Sequence, residues 1–273
     1  MTDLCVEWDG GGRPGVVLVH AGIADLRMWD RQVATLAPRH RVVRYDVRGF
    51  GRSPDPVGDH FDHDDLLAVM DASGLDRAVL VGASNGGRIV LDTAVSAPGR
   101  VIGIVLLDAS VPGVPMSDAL RADLSHEDEA LLSGDIERAK EMNLRWFVDG
   151  VDRDPADADP RVRAVVGGWL DDLLPRQAAQ LRTDAGDAQL IEPPVRDRLD
   201  DLPMPALVIT GRHDDPGLRA AARHVADHMP RAELVELDGA AHLPNLERPD
   251  RVDALLMRFL AAVGRDPETP DPR

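Results

Sequence analysis

One cysteine, Cys5, stands in 273 residues, so the chain can build neither an intrachain disulfide framework nor a multi-cysteine metal site. Lysine is nearly missing too: Lys140 is the only one, and arginine supplies the other positive charges. Positive charge is scarce overall, with 31 Lys and Arg against 48 Asp and Glu, a formal net charge of −17. Nucleic acid and anionic membrane surfaces both reward basic residues, so neither is expected as a partner. No apolar run approaches the roughly 20 residues of a membrane span. The opening "MTDLCVEWDGGG" lacks the basic start and apolar stretch of a signal peptide. Neither G-x-x-x-x-G-K-[ST] nor G-x-G-x-x-G follows an apolar run, so no phosphate-cradling loop and no nucleotide cofactor are expected. These absences point to a reduced, cytoplasmic setting and to a protein that works with its own side chains.

Short apolar runs alternate with helical stretches. "VVLVHAG" (16–22), "RVVRYDVRG" (41–49), "AVLVGAS" (78–84) and "VIGIVLLDAS" (101–110) are β-rich and bounded by Gly, Pro or Asp. Near-continuous apolar runs suit strands buried on both faces of a parallel sheet. Between them lie "DLRMWDRQVATLAP" and "DHDDLLAVMDASG", which read as helices. The rhythm returns with "PALVITGRHD", "RAAARHVADHMP", "AELVELDGAAH" and a final helix, "RPDRVDALLMRFLAAVG". Such alternation indicates an α/β, doubly wound, mostly parallel sheet. It breaks between Pro112 and Pro194, where "SHEDEALLSG" carries a capping-box pattern from Ser125 to Asp128 and "DIERAKEMNLRWFVDG" has helical spacing. The expected organisation is a core formed by residues 1–111 and 195–264, a helical cap over residues 112–194, and a frayed, Pro-rich tail over 265–273.

Gly82-Ala83-Ser84-Asn85-Gly86 fits G-x-S-x-G between a strand and a helix. In such an elbow a serine occupies a strained backbone position, glycines relieve the crowding, and the helix N-terminus favours negative charge. A serine nucleophile needs a base, and the base needs an orienting acid. "LDGAAHLPNLERP" places His242 after the last apolar run, and "VITGRHDDP" places Asp214 in the turn leaving another. Asp108, ending "LLDAS", is the alternative acid. Amide donors for an oxyanion are expected from Asn85, after the nucleophile, and from Gly22, with Ile23 as the alternative. His20, in the same loop, suits a bracing hydrogen bond better than a second base. Trp29 falls on the apolar side of its helix and reads as core. Trp146 and Phe147 in the cap, together with Ile23, are candidate pocket walls, with Met116 and Met142 as lesser candidates.

Taken together, the chain resembles the serine α/β-hydrolases of the capped type, which include 3-oxoadipate enol-lactonases, small esterases and cofactor-free haloperoxidases. "LVHAGIADLRMWD" resembles that family's oxyanion loop, with Ala21 where glycine is usual. "DVRGFGRS" resembles its D-x-R-G-x-G-x-S loop, where Asp46, Arg48, Gly49, Gly51 and Ser53 read as architectural. "GASNGG" resembles the elbow, "GRHD" the acid turn and "GAAHLPNLERP" the histidine loop. The resemblance implies an α/β-hydrolase fold and a metal-free, cofactor-free enzyme, monomer or homodimer. Its substrate would be a small-molecule ester or lactone, cleaved through an acyl-enzyme on Ser84. Serine in the elbow speaks against epoxide hydrolases and dehalogenases, which use a carboxylate there. C–C or amide hydrolysis, perhydrolysis, and a ligand sensor that retains the triad stay open as alternatives.

Overall fold

The computed structural model describes residues 2–183 and 186–264; the expected tail, 265–273, lies outside them. The first half of the chain comprises β1 (Val6–Asp9), β2 (Val16–Val19), α1 (Asp30–Leu36), β3 (Val42–Tyr45), α2 (Asp62–Ala72), β4 (Ala78–Ala83), α3 (Asn85–Ser96) and β5 (Val101–Leu107). Then come α4 (Asp118–Ser133), α5 (Ile136–Leu144), α6 (Pro160–Gln180), β6 (Ala206–Gly211), α7 (Pro216–His228), β7 (Ala232–Leu237), α8 (Pro244–Glu247) and α9 (Pro249–Val263). The strands form one sheet in the order β1-β3-β2-β4-β5-β6-β7, parallel except where β1 pairs with β3. The edge strand β1 escaped the pattern reading because it is short and half-exposed, without an apolar run.

The apolar runs behave as strands covered on both faces. Val16 and Leu18 pack into one core layer and Val17 and Val19 into the other, and all four are fully buried. That is the period-two alternation of a pleated strand with helices on either side. The chain passes from β2 outward to β3 and then back across to β4, which pairs with β2 through Val19 and Gly82. At such a reversal of strand order the loops leaving the two strands diverge and open a crevice. The loop after β2 and the turn after β4 are therefore neighbours.

Helices α4 to α6 interrupt the strands between β5 and β6 and pack onto the sheet's core layer through Leu131, Leu144, Trp169 and Leu170. Trp29, fully buried in that same layer, packs as core. The capping box expected at Ser125 is not a helix start. α4 begins eight residues earlier, where the Ser117 hydroxyl accepts from Leu120 N–H at 3.1 Å, and Ser125 lies mid-helix, donating to the Arg121 carbonyl at 3.2 Å. "DALRADL" is itself rich in helix formers, so the helix extends back to the first serine that follows an extended segment. Beyond α5 the chain widens into a π-turn, Arg145–Asp149, which ends at Gly150 with φ 85°. Single π-turns within helices often mark functional sites.

Candidate active site

Ser84 connects β4 to α3 with φ 51° and ψ −116°, a conformation that costs a side-chain-bearing residue about 1–3 kcal/mol. Its surroundings over-determine it. Ser84 N–H donates to the Leu107 carbonyl at 2.9 Å, and the Ser84 carbonyl accepts from Arg88 and Ser110 N–H, both at 3.2 Å. The glycines beside it are required by close approach. A Cβ on Gly82 would stand 2.3 Å from the Gly86 carbonyl oxygen, and one on Gly86 would stand 2.3 Å from that of Val19.

Asp214 and His242 come from the loops after β6 and β7 and meet in the interior. His242 Nδ1 lies 2.9 Å from Asp214 Oδ2, and both side chains are buried. The other Asp214 oxygen accepts from Asp215 N–H at 2.8 Å. This arrangement leaves Nε2 as the imidazole's free nitrogen. Asp108, the alternative acid, is committed elsewhere: it accepts from Thr210 Oγ1 at 2.6 Å and from Gly211 N–H at 3.1 Å, tying the end of β5 to the end of β6. Burial first, and then the neighbouring Asp214 charge, push the Asp108 carboxyl well above the usual range. Committed to Thr210 and Gly211, Asp108 braces the acid turn without competing for His242.

Gly22 and Asn85 face each other across the crevice, since a Cβ on Gly22 would lie 3.7 Å from Asn85 Cβ. The amides of Gly22, Ile23 and Asn85 have no acceptor among the described residues. Unpaired amides beside a serine Oγ can receive the oxyanion of a tetrahedral intermediate. His20 is saturated: Nδ1 meets the Ala21 carbonyl at 2.8 Å, and Nε2 accepts from Val47 N–H at 2.9 Å. Its burial lowers its basicity, so it braces the loop and offers no second base.

Ser84, His242, Asn85, Gly22, Ile23 and Phe147 all border one cavity of about 720 Å³. The Phe147 ring sits 4.7 Å from the His242 ring. Trp146, expected beside it, does not line the cavity; its indole N–H donates to Asp123. Consecutive residues on a helical turn project in different directions, so only one of the two aromatics can face Ser84. Met116 and Met142 do not line it either. Arg48, read as architectural, does line it, and so do residues that the sequence reading left unassigned: His60, Asp62, Arg88, Glu127 and Asn143. These last five come from four separate segments, and no local motif joins them. His60, Asp62 and Asp65 place one donor atom each within 4.8 Å of one another. However, Arg88 already holds Asp62 and Arg48 chelates Asp65, and these resident guanidinium charges disfavour a cation there.

The histidine loop is anchored from the π-turn. Arg153 donates to the carbonyls of Val148 and Asp149 on one side, and to the Gly239 carbonyl and Glu247 Oε2 on the other, over 2.6–3.1 Å. Glu247 Oε1 accepts from Ala241 N–H at 2.8 Å, directly before His242. The "NLERP" glutamate thus has a structural partner in the Asp- and Pro-rich stretch "DRDPADADP".

A family model described as "Alpha/beta hydrolase family" matches residues 16–255. Among curated proteins, the chain is 28% identical to a pimeloyl-[acyl-carrier protein] methyl ester esterase of Pectobacterium atrosepticum, over 96% of this chain and 100% of that one. It is 27% identical to 3-oxoadipate enol-lactonase 2 of Acinetobacter baylyi, over 90% of each. Among solved structures, a thermophilic esterase from Thermogutta terrifontis superposes with a TM-score of 0.79 at 26% identity, covering 95% of this chain and 93% of that one.

Proposed function

The chain belongs to the alpha/beta hydrolase family, and from that premise we propose that it hydrolyses a small carboxylic ester or lactone through an acyl-enzyme on Ser84. Ser84 Oγ attacks the acyl carbon while His242 Nε2 takes its proton. Asp214 holds the imidazole through Nδ1 and stabilises the imidazolium. The Asn85 amide and that of Gly22 or Ile23 receive the oxyanion. His242 returns the proton to the leaving alcohol, then activates water to release the acid. The segment 112–194 acts as a cap over the crevice and shapes the acyl site through Phe147. The reading is carried by one observation: a strained serine and the histidine of a buried His–Asp pair border the same cavity, the three residues coming from three different loops.

A fluorophosphonate probe tests it. Ser84 is expected to be the labelled residue, and Ser84→Ala is expected to lose labelling and nearly all esterase turnover while unfolding at an unchanged temperature. Labelling at another serine, or turnover that survives Ser84→Ala, overturns the assignment.

A further inference from the structure

The charged groups around the cavity are unevenly matched. Its two guanidinium groups are each held by carboxylates. Arg48 is chelated by Asp65 at 2.8 Å and reaches Asp3 at 3.1 Å. Arg88 pairs with Asp62 and with Asp92 at 3.0 Å, while its Nε donates to Asn85 Oδ1 at 2.9 Å. On the opposite side, where α4 and α5 face the cavity, the matching fails. Glu127 has one partner among the described residues, the neutral Asn143, whose Nδ2 donates to Oε1 at 2.7 Å. Asp128, beside it on the cavity wall and open to solvent, has none among the described residues.

Asn143 adds an independent indication. It is only 3% exposed and it lines the cavity. Both of its amide hydrogens are spoken for, one by Glu127 and one by the Ala139 carbonyl at 2.9 Å. Neither partner can donate, so the orientation of the amide is fixed and Oδ1 is its remaining function. That oxygen has no partner among the described residues. The corner therefore presents the second oxygen of the Glu127 carboxylate and the Asn143 amide oxygen, two acceptors that no donor among the described residues meets. Leu124, Leu131 and Phe147 flank it with apolar surface.

We propose that this corner receives a hydrogen-bond-donating cationic head, best a protonated amine, and that the cavity disfavours substrates bearing a carboxylate at that point. The inference rests on the hydrolase reading and names its substrate class: an ester or lactone with an ammonium group beyond a short apolar spacer. An ammonium supplies three donors, which can meet Asn143 Oδ1 and the unmet oxygens of Glu127 and Asp128, and it neutralises a partly buried carboxylate. Burial pushes the Glu127 carboxyl up, Asn143 draws it back, and the Asp128 charge raises it again; a bound cation relieves that penalty. A carboxylate in the same place meets two like charges and an oxygen that cannot donate.

Three p-nitrophenyl esters of equal chain length separate the possibilities: those of ε-aminocaproic, heptanoic and pimelic acids, ending in ammonium, methyl and carboxylate. At low ionic strength kcat/KM is expected to favour the ammonium ester over the carboxylate ester by about 10–100-fold, the range of one charge-assisted hydrogen bond. Glu127→Gln is expected to shrink that ratio about tenfold, and because the ratio is taken within one variant, a general loss of activity does not enter it. A carboxylate ester turned over as fast as the ammonium ester, or a ratio unmoved in Glu127→Gln, overturns the proposal. The heptanoyl ester keeps the two readings apart. If it is hydrolysed through Ser84 while the ranking is flat, only the charge inference falls. If none of the three is hydrolysed and Ser84 resists the fluorophosphonate, the hydrolase reading falls and takes this one with it.

Discussion

Arg153→Met removes the side chain that joins the π-turn to the histidine loop. Arg153 is 8% exposed at its side chain and Glu247 2%, so the pair works away from solvent. Breaking a buried ion pair from one side costs about 3–5 kcal/mol, mostly because the remaining charge is stranded. For a chain of this size each kcal/mol moves the melting temperature by about 2–4 °C, so a fall of roughly 6–20 °C is expected. The sign of its pH dependence follows from Glu247. Burial raises that carboxyl and Arg153 draws it down, so without Arg153 it rises further. A carboxyl raised in the folded state contributes stability that is present below its unfolded pKa and lost as pH rises through its folded one. The deficit against wild type should therefore be small near the usual glutamate range and grow toward pH 8. Arg153→Lys keeps the charge but cannot span the three carbonyls, and should recover only part of the loss. kcat should fall by up to about 10²-fold as the His242 loop loosens. Scanning fluorimetry across pH, with ester turnover on the same samples, is the assay. A melting temperature within about 2 °C of wild type, or a deficit flat across pH, refutes the reasoning.

Asp214→Asn should lower kcat by roughly 10³–10⁴, since the imidazole loses its orienting partner, whereas Asp108→Asn, which still accepts from Thr210 and Gly211, should cost far less. Reversed costs in steady-state kinetics would make Asp108 the acid. Phe147→Ala should reorder acyl chain lengths by kcat/KM, by about 10–200-fold between the best and worst affected. Trp146→Ala should instead lower the melting temperature with the ranking intact, and a reordered ranking would return Trp146 to the pocket wall. Burial raises the Asp92 carboxyl to about 6 against the opposing pull of Arg88, so its contribution to stability is lost as pH rises through that value. Asp92→Asn should flatten the fall of the melting temperature between about pH 4 and 6, and a curve parallel to wild type would exclude that role.

What the sequence discloses depends on how local the cause is. β2, β4, β5 and β6 announce themselves because burial on both faces demands an unbroken apolar run, and that demand acts residue by residue. The Ser84 elbow is legible for the same reason, since the approach of Gly86 to Val19 leaves no room for any other residue. The choice between Trp146 and Phe147 is not legible. Spacing locates the helix but not its rotation about its axis, and a π-turn shifts that rotation beyond what a regular period predicts. Nor can a pattern reveal Arg153. Its partners lie at Val148, Gly239 and Glu247, and only the folded chain brings those three within reach of one guanidinium. The same holds for Glu127 and Asn143, which sit 16 residues apart on two helices. Each reads as an ordinary polar residue on a solvated face until the helices close over the crevice and leave both with acceptors to fill. The specificity proposed for this molecule thus rests on long-range packing of the segment between β5 and β6. The proposed chemistry rests on short motifs at strand ends, and such motifs can recur in chains that differ in what they admit.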